Sequence, residues 1–352
     1  MIIGLMGLGV IGTPIAHRLF KEYKGDFFLV ADEERKKKLQ TNPIYINDEL
    51  FCANIYSDDD KPGIVTDLII VCVKNYALKS SIRNLRPFVS DKTIILPLQN
   101  GIFAYDYFKE CFPNNVILQG FAQGPNTEKI PGGFKYKNSG ELHIGSELWS
   151  DAARKVVRYL CAAGIPAFYE DEIKKMVWKK WMLNVAGNSV TALTGADYSL
   201  FKLHLDLQRI CRNAMEEFLR VSNAEGVGLT EKDIDDVIEY YVTYVGSKKT
   251  SMLMDVLNER KTENDYLAGT AIEVARRHGF TLPIISSLYY LLEVKEEVYM
   301  EKKGIRTMKK LFTEGVDYSD ALRVQMNDVS KKMEDKEYAR VISHGEMPEQ
   351  LL

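Results

Sequence analysis

The chain begins with a glycine pattern that restricts its fold more than any other feature does. A GxGxxG segment at positions 7–12 lies between an expected strand at 1–6 and an expected helix at 13–24. In such a turn the first Gly allows a tight bend, the second lets the backbone approach a pyrophosphate, and the third lets the helix pack closely on the strand. The N-terminus of that helix then faces the negative charge of the phosphates. The pattern predicts a Rossmann-type start to the chain, with these candidate dinucleotide contacts: Gly7, Leu8, Gly9, Val10, Ile11 and Gly12.

A carboxylate at the expected end of the second strand bears on the choice of dinucleotide. Asp32 lies 20 residues beyond Gly12, where an acid can accept hydrogen bonds from the adenosine ribose. Because a carboxylate repels a 2′-phosphate, Asp32 favours NADH over NADPH. In the alternative, Arg35 or Lys36 folds back onto a 2′-phosphate and allows NADPH, although this basic run is also typical of a solvated first helical turn.

The first 172 residues alternate apolar runs with helical patterns, which indicates a parallel sheet covered by helices on both faces. The expected strands lie at 27–31, 68–73, 93–98, 116–121 and 166–169, and the expected helices at 76–85, 104–111 and 150–164. Two further runs, 134–137 and 141–144, flank Asn138-Ser139-Gly140 and predict a hairpin added to that sheet.

After residue 172 the strand-like runs give way to apolar residues at helical spacing. The predicted fold class is therefore α/β plus all-α, with a doubly wound Rossmann-type sheet followed by a helical C-terminal domain. We expect a dinucleotide-binding domain at 1–172 and a helical substrate and catalytic domain at 173–352, of which 304–352 is a C-terminal extension.

Composition argues against several classes of protein. The 352 residues carry a net charge of −3, which gives no electrostatic reason to expect nucleic acid or an anionic membrane as a partner. The longest apolar run, 68–73, is far shorter than the ~20 residues of a membrane helix, and no basic signal-peptide segment precedes the first strand. Five scattered cysteines without metal-ligand spacing predict reduced, mostly buried thiols, no metal site and a cytoplasmic location.

Polar side chains follow two of the expected strands. Lys74 comes directly after the strand at 68–73, and Asn100 follows the strand at 93–98. Ligands of doubly wound sheets lie across the carboxyl ends of the strands, so both residues are candidate ligand contacts. The alternatives are an ordinary exposed Lys and a simple Asn-Gly turn.

A polar stripe opens the helical half. Lys180, Asn184 and Asn188 are spaced i, i+4, i+8, which puts their side chains along one helix face. Gly187 inside this helix costs about 1 kcal/mol relative to Ala, so we expect another group to approach closely there. The alternative is a solvent-facing stripe on an amphipathic helix.

A second polar patch contains Ser251 and the segment from Thr262 to Asp265. Thr262 fits an N-cap, with Asp265 at the capping-box position and Glu263 in the first helical turn. Glu263 either complements the helix dipole or points its carboxylate at a ligand.

In order and at these separations, the segments resemble the ketopantoate reductase (2-dehydropantoate 2-reductase) family. The resemblance covers about residues 1–300 and rests on the glycine segment, Lys74, QNG at 99–101, SGELHIG at 139–145, WKKWMLNVAGN at 178–188 and SMLMDVLNERKTENDYLAG at 251–269. It implies a reductase that uses NADH or NADPH to convert 2-dehydropantoate, a small 2-oxo acid, into pantoate on the route to coenzyme A.

The resemblance also implies roles for individual residues. Lys180 would be the general acid that protonates the alkoxide formed when hydride reaches the ketone carbon. Glu263 would help to hold cofactor and substrate near that lysine. The implied substrate contacts are Asn100, Asn184, Asn188 and Ser251, and the implied cofactor contacts include Lys74, Asn100 and Glu263.

The chain departs from the family pattern at three places. Asp32 stands where NADPH-using relatives often carry a basic residue, Ser189 stands where many carry Pro, and the surplus at 304–352 could form an oligomer contact such as a homodimer. Two alternatives stay open: an NAD-dependent D-2-hydroxyacid dehydrogenase for another branched or aromatic 2-oxo acid, and a non-catalytic dinucleotide sensor.

Overall fold

The computed structural model describes residues 1–60, 63–243 and 246–303. The chain divides into two compact units, Met1–Tyr299 and Met300–Leu352. Every strand below lies in the first unit. The extension predicted at 304–352 lies outside the described residues.

Three sheets account for the strands of the described residues. The strands are β1 (Ile3–Met6), β2 (Phe27–Val30), β3 (Ile44–Ile46), β4 (Glu49–Phe51), β5 (Asn54–Tyr56), β6 (Leu68–Val71), β7 (Ile94–Pro97), β8 (Val116–Ile117), β9 (Gln119–Gln123), β10 (Asn126–Ile130), β11 (Gly133–Asn138), β12 (Glu141–Gly145) and β13 (Ala167–Tyr169). The largest sheet is parallel throughout, in the order β5-β2-β1-β6-β7-β8. Strand order therefore reverses between β1 and β6, and ligands of such sheets bind at this switch point.

The helices follow the strand-to-strand connections and then fill the second half of the described chain. They are α1 (Gly12–Tyr23), α2 (Glu33–Thr41), α3 (Asn75–Leu85), α4 (Phe103–Cys111), α5 (Ser150–Ala162), α6 (Ile173–Leu183), α7 (Ser189–Thr194), α8 (Tyr198–Phe201), α9 (Leu205–Ala224), α10 (Glu231–Thr243), α11 (Ser251–Leu257), α12 (Thr270–Arg277) and α13 (Pro283–Lys302). Two π-helical segments lie among them: Asn184–Asn188 joins α6 to α7, and Asp265–Gly269 precedes α12.

Two apolar clusters cover the two faces of the parallel sheet. In β6, Leu68 and Ile70 belong to one cluster while Ile69 and Val71 belong to the other, as the two-residue period of a strand requires. All four side chains are fully buried. Helices α1 and α5 contribute to the first cluster, and α3 and α4 to the second. The predicted doubly wound sheet followed by helices is confirmed.

The predicted hairpin around Gly140 is wrong. β11 pairs with β10 in an antiparallel arrangement, whereas β12 pairs with β9 and β13, so the two runs belong to different sheets. Gly140 has φ +75°, and a Cβ there would lie 2.6 Å from the carbonyl O of Gln123. The glycine therefore marks a crossing from one sheet to another, and the turn chemistry alone does not distinguish the two cases.

The predicted strand at 116–121 is also divided. β8 completes the parallel sheet, and after Leu118 the chain enters β9 of the three-stranded sheet with β12 and β13. This division matters for the site, because β9 passes beneath α6.

The five cysteines are all free, as predicted, but they are not mostly buried. Cys211 is buried, whereas Cys52 and Cys161 are exposed. Cys52 follows the short strand β4, and Cys161, near the end of α5, donates its thiol to the carbonyl O of Ala167 at 3.3 Å. No helix in the described part of the chain is long and apolar enough to cross a membrane.

Candidate active site

The glycine turn between β1 and α1 is closely packed at two of its glycines and open at the third. Gly7 has φ +105°, and a Cβ there would lie 2.7 Å from the backbone N of Val73. A Cβ on Gly12 would lie 1.9 Å from the carbonyl O of Gly7. At Gly9, in contrast, a Cβ would meet nothing within 4 Å. The turn is closely packed on the protein side and open at Gly9, which fits a pyrophosphate approaching the backbone.

The remaining residues of the turn have distinct surroundings. Leu8 and Ile11 pack against the core cluster beneath the sheet, while Val10 is 53% exposed. The carbonyl O of Val10 accepts a hydrogen bond from Thr127 Oγ1 at 2.8 Å. Thr13 Oγ1, in the first turn of α1, is buried without a hydrogen-bond partner within the described ranges. An orphaned hydroxyl beside an open glycine turn is consistent with a bound polar group.

Asp32 is exposed and caps the helix that follows it. Its Oδ1 accepts from the backbone N–H of Arg35 at 2.7 Å, so one carboxylate oxygen serves as the N-cap of α2. Lys36 is bound to Asp60 and lies 3.6 Å from Glu33 Oε2. Of the two cations that the sequence suggests for binding a 2′-phosphate, Lys36 is therefore already ion-paired, while Arg35 is exposed.

Lys74 is the centre of an ion-pair network between the sheet and the helical part. Its Nζ lies 3.0 Å from Glu263 Oε2 and 3.2 Å from Asp255 Oδ2. Burial alone would lower the pKa of Lys74, but these two carboxylates outweigh it and raise the pKa above its usual value. Lys74 is thus a charged group at the carboxyl end of β6, not an isolated surface lysine.

Glu263 also binds the start of α3. Its Oε1 accepts from the backbone N–H of Asn75 at 3.0 Å and from Asn75 Nδ2 at 3.1 Å. Asn75 Nδ2 donates in turn to the carbonyl O of Asn100 at 3.1 Å. Lys74, Asn100 and Glu263, three residues chosen from separate sequence segments, are therefore joined through Asn75.

The QNG segment lies against the helical part. Gly101 has φ +82°, and a Cβ there would lie 3.3 Å from both Leu267 Cδ2 and the carbonyl O of Tyr266. Both polar atoms of the Gln99 amide are buried without a partner within the described ranges. Sequence reasoning gave Gln99 no separate role.

Lys180 lies near the end of α6 and is half-buried. Its Nζ donates to the carbonyl O of Ala122 in β9 and lies 4.9 Å from the centroid of the Phe121 ring. Burial, with a smaller contribution from the Lys248 ammonium, lowers the pKa of Lys180 to about 8. Such a lysine is mostly protonated at neutral pH and releases its proton more readily than an ordinary lysine.

The two predicted asparagines are buried in the π-helical segment after α6. Asn184 is 6% exposed and Asn188 is 3% exposed, so for them the alternative of a solvent-facing stripe is wrong. Asn188 Nδ2 donates to Asn184 Oδ1 at 3.2 Å, and Asn184 Nδ2 has no partner in the part of the chain described. A buried amide N–H without an acceptor is costly, so it indicates a place for a ligand oxygen.

The close approach expected at Gly187 is confirmed. A Cβ on this residue would lie 2.0 Å from Tyr241 Oη, which donates to the carbonyl O of Leu183 at 2.8 Å. Tyr241 is fully buried. The tyrosine hydroxyl thus reaches a carbonyl at the π-helical segment, where irregular hydrogen bonding is frequent near functional sites.

Ser251 is exposed at the first position of α11. The preceding Thr250 accepts from the backbone N–H of Leu253 at 3.2 Å, and its Oγ1 lies 2.7 Å from Thr191 Oγ1. The pair of threonines ties the start of α11 to α7. The backbone of Ser251 is therefore held in place by its neighbours, and its side chain is exposed.

The predicted residues form two hydrogen-bonded groups in the structure, with Lys74, Asn100 and Glu263 in one and Asn184 and Asn188 in the other. Among the described residues, no ion pair to Lys180 is present, because Glu263 binds Lys74 and Asn75 instead. Sequence reasoning missed three members of the candidate site: Asn75 at the start of α3, Asp255, a buried acid between apolar residues of α11, and Phe121, whose ring faces the Lys180 ammonium.

The predicted capping box at Thr262 is half right. Thr262 Oγ1 accepts from the backbone N–H of Asn264 at 3.2 Å, as an N-cap does. The backbone N–H of Thr262, however, donates at 2.9 Å to Glu296 Oε1 of α13 instead of to Asp265. Asp265 accepts from Tyr289 Oη at 2.8 Å. A distant acid has replaced the local one, and local spacing does not reveal such an exchange.

Comparison with known proteins identifies the family to which the chain belongs. The family model "Ketopantoate reductase PanE/ApbA" matches residues 3–148, and the model of its C-terminal domain matches residues 172–296. A 2-dehydropantoate 2-reductase of Halobacterium salinarum is 28% identical over 239 residues, 67% of this chain and 78% of the relative.

Solved structures share the fold. A ternary structure of D-mandelate dehydrogenase with NADH and anilino(oxo)acetate superposes with a TM-score of 0.75 at 22% identity, covering 85% of this chain and 99% of the other. A dimeric ketopantoate reductase from Staphylococcus aureus gives a TM-score of 0.70 at 21% identity, covering 84% and 99%. The two family models together span most of the chain, which belongs to the ketopantoate reductase family of NAD(P)H-dependent oxidoreductases.

Proposed function

We propose that this protein reduces 2-dehydropantoate to pantoate, with Lys180 as the general acid. The observation that carries the proposal is the half-buried Lys180 ammonium, which has no carboxylate partner among the described residues. A lysine in an ion pair would be a weaker acid, because a neighbouring carboxylate stabilises its charged form. Lys180, which lacks such a partner among the described residues, is the stronger proton donor.

The site supplies the groups that the reaction needs. A nicotinamide cofactor, when bound, supplies the hydride that reaches the ketone carbon. The Lys180 ammonium then donates a proton to the oxygen that takes up the electron pair of the former C=O bond, so the product is a neutral hydroxyl. Asn184 Nδ2, orphaned and buried, donates to a substrate oxygen, and Asn188 keeps the amide oriented.

Other residues hold the two ligands. Ser251 and the Asn100 amide offer hydrogen bonds to the substrate. The glycine turn with Gly9 open would hold the pyrophosphate, and Lys74 with Glu263 would line the cofactor at the carboxyl end of β6. We further place the boundary between the dinucleotide-binding and helical domains at 172–173, between β13 and α6.

Asp32 supports NADH as the preferred cofactor. Its exposed carboxylate, which accepts from the backbone N–H of Arg35, lies where an adenosine ribose is expected. Lys36, one of the two cations that could bind a 2′-phosphate, is already ion-paired with Asp60. Binding of NADPH would then depend on Arg35.

The second candidate is an NAD-dependent D-2-hydroxyacid dehydrogenase acting on another branched or aromatic 2-oxo acid. Asp32 favours this candidate, and the fold similarity to D-mandelate dehydrogenase, solved with NADH, supports it. A non-catalytic dinucleotide sensor is a weaker candidate, since Lys180 and Glu263 are both present. We also propose a place in pantothenate biosynthesis, a cytoplasmic location and a homodimer like that of the Staphylococcus aureus relative.

The deciding experiment measures initial rates of reduced-cofactor consumption with 2-dehydropantoate, in parallel with NADH and NADPH. Fast turnover with NADH supports both the substrate and the role of Asp32. Preference for NADPH keeps the reaction and moves phosphate binding to Arg35. Turnover only with phenylglyoxylate or a branched 2-oxo acid supports the second candidate instead.

A matched pair of variants tests the general acid. Lys180→Met should lose turnover by about 10²–10⁴-fold, the usual contribution of general acid catalysis, while cofactor binding followed by fluorescence stays intact. Lys179→Met is the control, because the neighbouring Lys179 is engaged with Asp236 at 2.6 Å. Equal losses in both variants, or none in Lys180→Met, would contradict the assignment.

A further inference from the structure

The strand β9 meets Lys180 with two successive residues. The carbonyl O of Ala122 accepts a hydrogen bond from Lys180 Nζ, and the Phe121 ring centroid lies 4.9 Å from the same atom. A ring face carries negative charge in its quadrupole and attracts an ammonium at such a distance. Phe121 is buried and also packs on Ile173 and Val177 of α6, the helix that carries the lysine.

Two neighbouring strands fix the orientation of the Phe121 ring. In the three-stranded sheet His143 is paired directly with Phe121 on one side and with Phe168 on the other. The His143 ring stacks on Phe121 at 4.8 Å with 17° between the planes, and on Phe168 at 5.6 Å with 26°. His143 Nδ1 is held in turn by Glu170 Oε1 at 2.6 Å. The Phe121 ring that faces Lys180 is therefore held by its direct stacking partner, His143, whereas Phe168 stacks on His143 and not on Phe121.

The surroundings of Lys180 otherwise oppose its charge. Burial acts most strongly against the Lys180 ammonium, and the ammonium of Lys248, on the segment before α11, adds a smaller electrostatic repulsion. Of the groups behind the ring, Glu170 is bound to His143 Nδ1 and Glu141 lies 4.0 Å from His143 Nε2. In the part of the chain that the structure describes, none of these three forms a hydrogen bond or ion pair with Lys180. Among the described residues no ion pair to Lys180 compensates. The groups that stabilise the charged form are the Ala122 carbonyl and the Phe121 ring.

We propose that Phe121 is a positioning residue for the reductase, which holds the Lys180 ammonium in its charged form and in place through the face of its ring. The inference rests on the proposed role of Lys180 in the reaction. It assigns Phe121 a task that a purely structural core residue would not have, since a leucine of similar volume could fill the same space.

The test compares Phe121→Leu with Phe121→Tyr in the full-length chain. Leucine keeps the position apolar and removes the ring face, whereas tyrosine retains the face. Phe168→Leu is the matched control, because it makes the same change in the same sheet without a contact to Lys180. Competitive acetylation of amino groups across a pH series, quantified on the Lys180 peptide by mass spectrometry, follows the ionisation of Lys180 without using turnover. The pH profile of kcat is measured on the same variants.

In Phe121→Leu both the acetylation profile of Lys180 and the alkaline limb of kcat should move about one pH unit lower, a tenfold loss of proton affinity. Phe121→Tyr and Phe168→Leu should leave both curves in place. An unchanged acetylation profile in Phe121→Leu would overturn the inference, whatever happens to turnover. A shifted acetylation profile with an unmoved kcat profile would instead overturn the role of Lys180 as general acid, and with it the catalytic meaning of the contact. A drop in kcat at all pH values without a shift would show a structural role only.

Discussion

Gly187→Ala should destabilise the protein, even though alanine is the better helix former. The added Cβ would lie 2.0 Å from Tyr241 Oη and 2.6 Å from Tyr241 Cζ. Carbon and oxygen atoms need more than about 3 Å, so the tyrosine must move by an ångström or more. Such a movement breaks its 2.8 Å hydrogen bond to the carbonyl O of Leu183.

The expected loss combines opposing contributions. Overpacking a buried site costs about 1–3 kcal/mol, and an unpaired buried polar group costs about 1–3 kcal/mol. Against these, alanine gains about 1 kcal/mol over glycine within a helix. We expect a net loss of about 1–5 kcal/mol in the free energy of unfolding. For a chain of this size about 1 kcal/mol shifts Tm by about 1.4 °C, so Tm should fall by roughly 1–7 °C.

Urea denaturation followed by circular dichroism, with thermal scans beside it, measures this loss. Gly25→Ala is the matched control, because a Cβ at Gly25 would meet nothing within 4 Å. The double variant Gly187→Ala/Tyr241→Phe should lose less than the two single variants together, since the phenylalanine lacks the oxygen that clashes. An unchanged or raised stability of Gly187→Ala would refute the steric argument, and full additivity would show that Tyr241 is not the group in the way.

Three further changes have expected outcomes. Gly9→Ala should weaken binding of the reduced cofactor about tenfold or more without changing Tm, because the Cβ enters the space left for the pyrophosphate; fluorescence titration checks this. Lys248→Met should raise the pKa of Lys180, now about 8, by removing a like charge, so the alkaline limb of kcat moves to higher pH; a shift to lower pH would contradict the electrostatic argument. Glu263→Gln should cost about 1–2 kcal/mol of stability, because Lys74 loses one of its two carboxylates while Asn75 keeps an acceptor; Asp255→Asn, which removes the other carboxylate, is its comparison in urea denaturation.

The parallel sheet was predictable because its strands are apolar on both faces. Residues 68–71 have no polar side chain to reveal a solvent side, and helices separate such runs along the chain. Gly187 was predictable for a related reason, since glycine within a helix has a cost that only a close contact compensates. In both cases a local rule and the global packing agree.

The errors arise where distant residues decide the outcome. Gly140 has the conformation of a hairpin turn, but its flanking strands find other partners, which depends on β9 and β10. At Thr262 an acid on α13 takes the bond that a local acid would have made. Lys74, Asn100 and Glu263 were singled out in the sequence and are linked in the structure, but their pairings were not predictable, because Asn75 and Asp255 join them through contacts distant in sequence.

The bond between Glu263 and Asn75 has a consequence for how this protein can be divided. Lys74 occupies the N-cap position of α3 but makes no side-chain capping hydrogen bond, so the first turn of that helix takes its acceptor from a residue 188 positions further along the chain. A fragment ending after β13 would leave the Asn75 amide without this acceptor and Lys74 without either carboxylate. The nucleotide-binding part of this chain therefore cannot be transferred to another protein as an independent unit. Any recombination that joins it to a different helical domain must also supply an acid that accepts from the backbone N–H of Asn75 at the start of α3.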